Sequence, residues 1–170
     1  MKKLVGAVLD AIRQDNLYGA LFIALALPDI CGKIENPTAG SKERYIYWFN
    51  RYLKDKYINH FHPQIIFLTG EDMYAFRCAL LHEGTEDITT QSAKMSIDRF
   101  ILISEGPHLN YFKDQTKRLQ ISVKEFCTEI CEAVEKWILD VKDNTDFIEY
   151  EKRIIKILPK GSIVNGIKYG

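Results

Sequence analysis

Apolar residues recur at helical spacing through the first third of the chain. Leu4, Val8 and Ile12 lie on one face of a first amphipathic helix. The next apolar stretch, YGALFIALALPDICGKIE, is apolar on nearly every side, which is typical of a central buried helix. Pro28 should kink or break that helix, because its ring removes a backbone donor.

A third helix is predicted after the loop NPTAG, with Ser41 as its amino-terminal cap. Its aromatic residues share one side: Tyr45, Trp48, Phe49 and Tyr52. Exposed aromatic side chains can stack nucleobases, but a stripe at helical spacing more often packs in a core or a dimer interface. The pattern therefore favours packing over base stacking.

A short helix over residues 69–84 has a start and a stop signal in its sequence, TGEDMYAFRCALLHEG. Thr69 can cap its amino end, and Glu71 and Asp72 favour the positive end of the helix dipole. Gly84 is placed to end it. We refer to this segment as the motif helix.

The second half of the chain predicts a small hairpin followed by a long helix. Residues 99–104 and 119–122 have the apolar pattern of two strands that pair with each other. Ser122 and Glu125 form a capping box that opens the last long amphipathic helix. Beyond Asp140 the sequence indicates a short helix and an extended tail from about residue 146, which leans on the domain or on a partner subunit.

These elements predict a mainly α fold: a bundle of four to five helices with a small β-hairpin insertion near residues 99–122. The 170 residues are 46% hydrophobic, which is enough to build one core, and no linker divides them. We therefore expect a single domain over residues 1–170.

The charge balance argues against a general affinity for nucleic acid, since Lys plus Arg and Asp plus Glu both number 23. RNA binding would need a local patch or a cleft built by a dimer. Five basic residues lie on or beside the third helix, where a solvated helix face explains them equally well. They are Lys42, Arg44, Arg51, Lys54 and Lys56.

The sequence predicts a cytoplasmic protein without membrane association. Asp10 and Arg13 interrupt the apolar start of the chain, so it lacks the pattern of a signal peptide. The most apolar run, residues 17–27, is shorter than a bilayer span requires. The four cysteines have no disulfide-framework spacing and are expected to be reduced.

The motif helix carries an arginine in apolar company. The residues three and four positions from Arg77 include Met73, Leu80 and Leu81, so its guanidinium needs an anionic partner. Asp29, also in an apolar setting, is the best structural partner; a bound phosphate is the functional alternative.

His82 follows Arg77 by five residues and can move a proton near neutral pH. In an α-helix that spacing separates the two by about 140° around the axis and about 7.5 Å along it. A single α-helix does not easily bring both side chains to one atom, whereas two such helices meeting at a symmetry axis can.

The segment from Arg77 to His82, RCALLH, resembles the Arg-x4-6-His motif of the HEPN superfamily, small helical proteins that include many metal-independent RNases of toxin and antiviral systems. The segments RFILISE and LQISVKEFCTEICEAVEKWI are also similar to those of bacterial proteins that carry this motif. The resemblance extends from about Leu4 to Val141.

This resemblance implies a homodimeric endoribonuclease that uses neither metal nor cofactor and leaves 2′,3′-cyclic phosphate and 5′-hydroxyl ends. Arg77 and His82 would be its catalytic residues, with Asp29 and Cys78 in support. In active members the residue after the arginine is usually polar, and here it is Cys78. The alternative is a non-catalytic HEPN-like module that binds RNA, a nucleotide, or a protein partner such as an antitoxin.

Two metal hypotheses compete with this interpretation. Cys78 and His82 lie four apart on one helix, and Cys127 and Cys131 lie four apart on another, which is a spacing that zinc ligands can use. His60 and His62 form an H-x-H pair without acidic or thiol ligands nearby in sequence. Ordinary packing explains the cysteines, and we expect no bound metal.

Overall fold

The computed structural model describes residues 1–62 and 64–170. Just over half of the chain is helical, in keeping with the mainly α prediction, and a small three-stranded sheet accompanies the helices. The α-helices are α1 (Lys2–Arg13), α2 (Leu17–Glu35), α3 (Ser41–Tyr52), α4 (Gly70–Cys78), α5 (Val123–Val141) and α6 (Thr145–Arg153). A 3-10 turn, Lys54–Tyr57, follows α3, and a π-helical turn, Ala79–Glu83, follows α4.

Helix α2 forms the centre of the fold, packing on α1, α3 and α5. It continues through Pro28, which is buried within it, so the predicted break does not occur. By length and composition alone α2 is able to cross a membrane, but half of its most apolar window is buried inside the fold. A helix buried in a protein core passes the same test.

The aromatic stripe of α3 is part of the core, as its spacing predicted. Trp48, Phe49 and Tyr45 are fully buried, and Tyr52 nearly so. The Tyr45 hydroxyl donates to the Leu25 carbonyl of α2 at 3.2 Å. These side chains therefore stabilise the contact between α2 and α3 and are not available to stack bases.

The predicted pairing of residues 99–104 with 119–122 as a hairpin is wrong. The strands are β1 (Arg99–Ile103), β2 (Leu109–Lys113) and β3 (Thr116–Ser122), and β1 lies parallel to β3. The hairpin joins β2 to β3 through Asp114 and Gln115, both with positive φ. Every residue of β2 is exposed, so no buried alternation marked it as a strand.

The chain beyond α5 contains the predicted short helix, but the tail predicted to be extended from about residue 146 is more structured than expected. Helix α6 covers Thr145–Arg153, and Phe147 anchors it against Trp137 of α5. A second hairpin follows, made of β4 (Ile163–Val164) and β5 (Ile167–Lys168). The turn between them is Asn165-Gly166, both with positive φ, which is a strong hairpin signal.

Candidate functional site

The motif helix has the predicted ends but an unpredicted last turn. The Thr69 hydroxyl accepts the Asp72 amide at 3.1 Å, and Gly84 adopts a left-handed φ of 68°. Between α4 and Gly84, residues Ala79–Glu83 form the π-helical turn. A π-helical turn holds more residues than an α-helical turn, so five residues bring His82 back close to the face that carries Arg77.

Arg77 and His82 are consequently in direct contact on a single helix. The distance from Arg77 Nη1 to His82 Nε2 is 3.1 Å. Arginine can only donate, so Nε2 accepts, and the neutral ring carries its proton on Nδ1. His82 is exposed, whereas the Arg77 side chain is only 17% exposed. The pair therefore has a partly buried cationic member and a solvent-accessible imidazole.

The ion pair predicted between Arg77 and Asp29 is present, and a second arginine shares the same carboxylate. Arg77 Nη2 donates to one Asp29 oxygen at 3.0 Å, and Arg44 Nε donates to the other at 2.9 Å. Ser41 was predicted to cap α3, but Gly40 occupies the cap position and the Ser41 hydroxyl donates to Asp29. Asp29 therefore joins α2, α3 and α4 at one point.

Sequence reasoning placed Arg44 only among the basic residues of α3 and missed its part in this cluster. We refer to Asp29, Arg44, Arg77 and His82 as the motif cluster. Two guanidinium groups share one carboxylate, so the cluster has an excess positive charge before His82 is considered. The cluster is therefore suited to receive an anion.

Two other basic residues near α3 already have acidic partners. Arg51 pairs with Glu35 at 3.2 Å, and Lys56 pairs with Glu132 at 2.9 Å. These two ion pairs reduce the contribution of Arg51 and Lys56 to the attraction for an anion.

Gly32 allows α3 to come close enough to α2 for Arg44 to reach Asp29. A Cβ at this position would lie 2.8 Å from the Arg44 carbonyl oxygen. We expect Gly32→Ala to lower the free energy of unfolding by about 1 to 3 kcal/mol, because the two helix backbones must move apart.

Urea denaturation measures this effect, with Gly6→Ala in α1 as the matched control. No atom lies within 4 Å of a Cβ built at Gly6, and the exchange favours a helix interior by up to about 1 kcal/mol. Equal stability changes in the two variants would show that close packing at Gly32 is unimportant.

Tyr45, Tyr74 and Cys78 lie next to the motif cluster. Burial raises the pKa of Tyr74, and a hydrogen bond with Cys78 raises it further. Burial likewise raises the pKa of Tyr45, which stays neutral across the physiological range. Cys78 is partly exposed, with its sulfur 3.9 Å from Arg77 Nη1.

A fully buried carboxylate on α4 holds the loop that leads away from His82. Asp72 accepts the backbone amides of Met95, Ser96 and Ile97 at 2.8, 2.9 and 3.2 Å. It also accepts the hydroxyls of Thr69 and Ser96. The loop is connected to the π-helical turn as well, since Gln91 donates to Glu83 at 2.7 Å. The sequence showed Asp72 only as a favourable residue near a helix start.

The residues weighed as alternative zinc ligands, Cys78, His82, Cys127 and Cys131, do not converge in the described part of the chain. The group there whose ligand atoms lie within 4.8 Å of one another is His108, Glu125 and Glu129. His108 Nδ1 accepts the Ser122 amide at 3.2 Å, so the neutral ring has its proton on Nε2, toward Glu129 at 3.6 Å. A metal would need that nitrogen unprotonated, so the arrangement fits a histidine–carboxylate contact better than a metal site.

Comparisons of the chain with protein-family models, curated proteins and solved structures found no match. The fold and the site define a largely helical protein that carries a partly buried Asp–Arg–Arg cluster beside an exposed histidine. Any more specific assignment depends on the chemistry of that cluster.

Proposed function

We propose that this protein is a metal-independent endoribonuclease of the HEPN type. The observation that carries the proposal is the 3.1 Å contact between Arg77 Nη1 and His82 Nε2, beside a second arginine that shares the Asp29 carboxylate. A fixed cation next to a proton-transfer group is the combination that phosphodiester cleavage needs. The resemblance of RCALLH to the HEPN motif supports the same assignment.

In this proposal an RNA phosphate binds against Arg77 and replaces its contact with His82. The guanidinium then stabilises the charge that develops on the phosphorane. The released Nε2 takes the proton of the ribose 2′-hydroxyl, and the 2′-oxygen attacks phosphorus. The bond to the 5′-oxygen breaks, and the imidazolium returns the proton to that oxygen. The products are a 2′,3′-cyclic phosphate and a 5′-hydroxyl end.

Arg44 and Asp29 act in this proposal as positioning residues. Asp29 fixes one edge of the Arg77 guanidinium, while Arg44 keeps the cluster positive after the carboxylate has neutralised one charge. The proposal further includes a HEPN-like helical bundle, a cytoplasmic location, a homodimer formed beside the motif helix, and a role in a toxin or defence system with a protein partner such as an antitoxin.

Cleavage of a mixed RNA substrate in EDTA tests the proposed activity. Purified protein should cut RNA despite chelation, and typing of the ends should show cyclic phosphate and 5′-hydroxyl. His82→Ala should lower the rate by about 100-fold or more, which is the range expected for a lost general acid or base. Because His82 is exposed, this variant should retain the unfolding midpoint of the parent.

Glu83→Ala is the matched control, since Glu83 is the exposed neighbour of His82 on the same π-helical turn. It should leave cleavage close to the parent rate. Equal cleavage by the parent and His82→Ala would overturn the nuclease assignment. Cleavage abolished by EDTA would overturn the metal-independent mechanism.

The second candidate function is a non-catalytic module that binds RNA, a nucleotide or a protein. Two observations favour it: Cys78 follows Arg77 where active members of the superfamily usually have a polar residue, and Arg77 already has a structural partner in Asp29. Arg77→Lys separates the two functions, because lysine keeps the charge but lacks the planar fork. A nuclease should lose cleavage rate by more than its change in stability explains, whereas a non-catalytic module should show a change in stability alone.

A further inference from the structure

The last 19 residues, 152–170, differ in charge from the rest of the chain. This segment, which we call the tail, contains five of the 23 basic residues and none of the 23 acidic residues. The remainder of the chain therefore holds 18 basic against 23 acidic residues, a formal charge of −5 facing a tail of +5. A neutral chain is in this way divided into an acidic body and a basic tail.

The tail also exposes large aliphatic side chains. Ile157 is 96% exposed and Ile163 is 70% exposed; Ile155, Ile167 and Tyr169 are exposed too. Exposed apolar groups concentrated in one short segment mark an interaction surface more often than a solvated one. Lysines between them keep the segment soluble while it is unbound.

The hairpin within the tail lacks structural support in a single copy. Its backbone hydrogen bonds, such as Gly161 to Tyr169 and Tyr169 to Ser162, join tail residues to one another within the described chain. An isolated two-stranded hairpin is marginally stable in water. A surface that covers the exposed isoleucines would stabilise it.

A suitable apolar surface lies between α1 and α5. A groove of about 490 Å³ there is lined by Val5, Gly6, Leu9 and Ile138, together with Leu139. Leu139 is 68% exposed. Glu135 and Lys2 line the groove as well. The groove thus combines apolar contact with one carboxylate and one ammonium group.

We propose that the tail of one copy docks on the α1/α5 groove of a second copy, so that two chains exchange tails. Charge complementarity selects this partner, because the +5 tail of one copy meets the −5 body of the other. Direct pairing of two tails would instead bring lysines together. A nucleic acid would satisfy the lysines but leave the isoleucines exposed to water. None of the residues that line the groove belongs to the motif cluster, so this contact is separate from the proposed RNA site and adds to the dimer contact proposed beside the motif helix.

Light scattering coupled to size exclusion tests the exchange. The full chain should form a dimer, and Ile157→Ser with Ile163→Ser should raise its dissociation constant by about tenfold or more, since each isoleucine loses apolar contact. Leu139→Ser should also raise the dissociation constant, because it removes an apolar side chain from the groove that receives the tail. Phe112→Ser, which replaces an apolar residue on β2 that is 77% exposed, should leave the dissociation constant unchanged.

Cross-linking identifies the two surfaces in contact. Ile163→Cys and Leu139→Cys are made in separate, differently tagged chains; mixing them under oxidation should give a mixed-tag disulfide dimer that neither chain forms alone. A monomer at high concentration, or a dimer insensitive to all three serine substitutions, would overturn the proposal. Binding of single-stranded RNA or anionic vesicles that is lost with the tail isoleucines, without dimer formation, would overturn it in favour of that ligand.

Discussion

Replacing Asp72 with Ala should lower the free energy of unfolding by about 3 to 5 kcal/mol, because it leaves several buried donors without their acceptor. The Asp72 carboxylate is fully buried and accepts three consecutive backbone amides, of Met95, Ser96 and Ile97, and two hydroxyls. Urea denaturation gives the stability change. Hydrogen exchange should show the greatest loss of protection at the three amides.

Asp72→Asn distinguishes the geometry of this site from its charge. The amide oxygen can still accept the backbone amides, and its NH₂ group can donate to the hydroxyls of Thr69 and Ser96, which are able to accept. The asparagine variant should therefore lose less than half of the stability lost by the alanine variant. Equal losses would show that the negative charge, and not the hydrogen-bond pattern, holds the loop.

Asp29→Ala should have the second large effect, destabilising the protein by about 3 kcal/mol, because removal of a shared carboxylate leaves two arginines close together without compensation. Asp29, Arg44 and Arg77 are each about one-sixth exposed, so solvent screens them only partly. Thermal unfolding in a low-salt buffer measures the loss.

Sulfate provides the specific control for this interpretation. An oxyanion can take the place of the missing carboxylate between Arg44 and Arg77, so sulfate should raise the unfolding temperature of Asp29→Ala more than that of the parent. Chloride at equal ionic strength controls for general screening. If sulfate and chloride act alike on the variant, the two arginines do not form an anion site.

Local sequence signals predicted the helices of this fold well. Thr69 and Ser122 accept the amides three residues later, as their capping patterns indicated. The stripe of Trp48 and its neighbours is buried because helical spacing places all of them on the face toward α2. The Asp29–Arg77 pair followed from the cost of leaving either charge unpaired in apolar surroundings.

The features missed by sequence reasoning depend on contacts between distant segments. Strand β2, and not β1, forms the hairpin with β3, so the parallel pairing of β1 with β3 cannot be predicted unless β2 is identified as a strand. Every residue of β2 is exposed, so its sequence lacks the alternation that would identify it. Arg44 looked like a surface cation because its partner is fifteen residues away on another helix. The π-helical turn has no composition signal of its own, so the expected separation of Arg77 and His82 on one helix was wrong.

The π-helical turn also determines which spacings of arginine and histidine along the chain allow the same contact. A π-helical turn is equivalent to one residue inserted into an α-helix. Arg77 and His82, five apart here, occupy positions like those of residues four apart in an unbroken α-helix. A single-codon insertion between an arginine and a histidine can therefore preserve their contact, because the π-helical turn absorbs the extra residue and leaves the residues after it on their original faces.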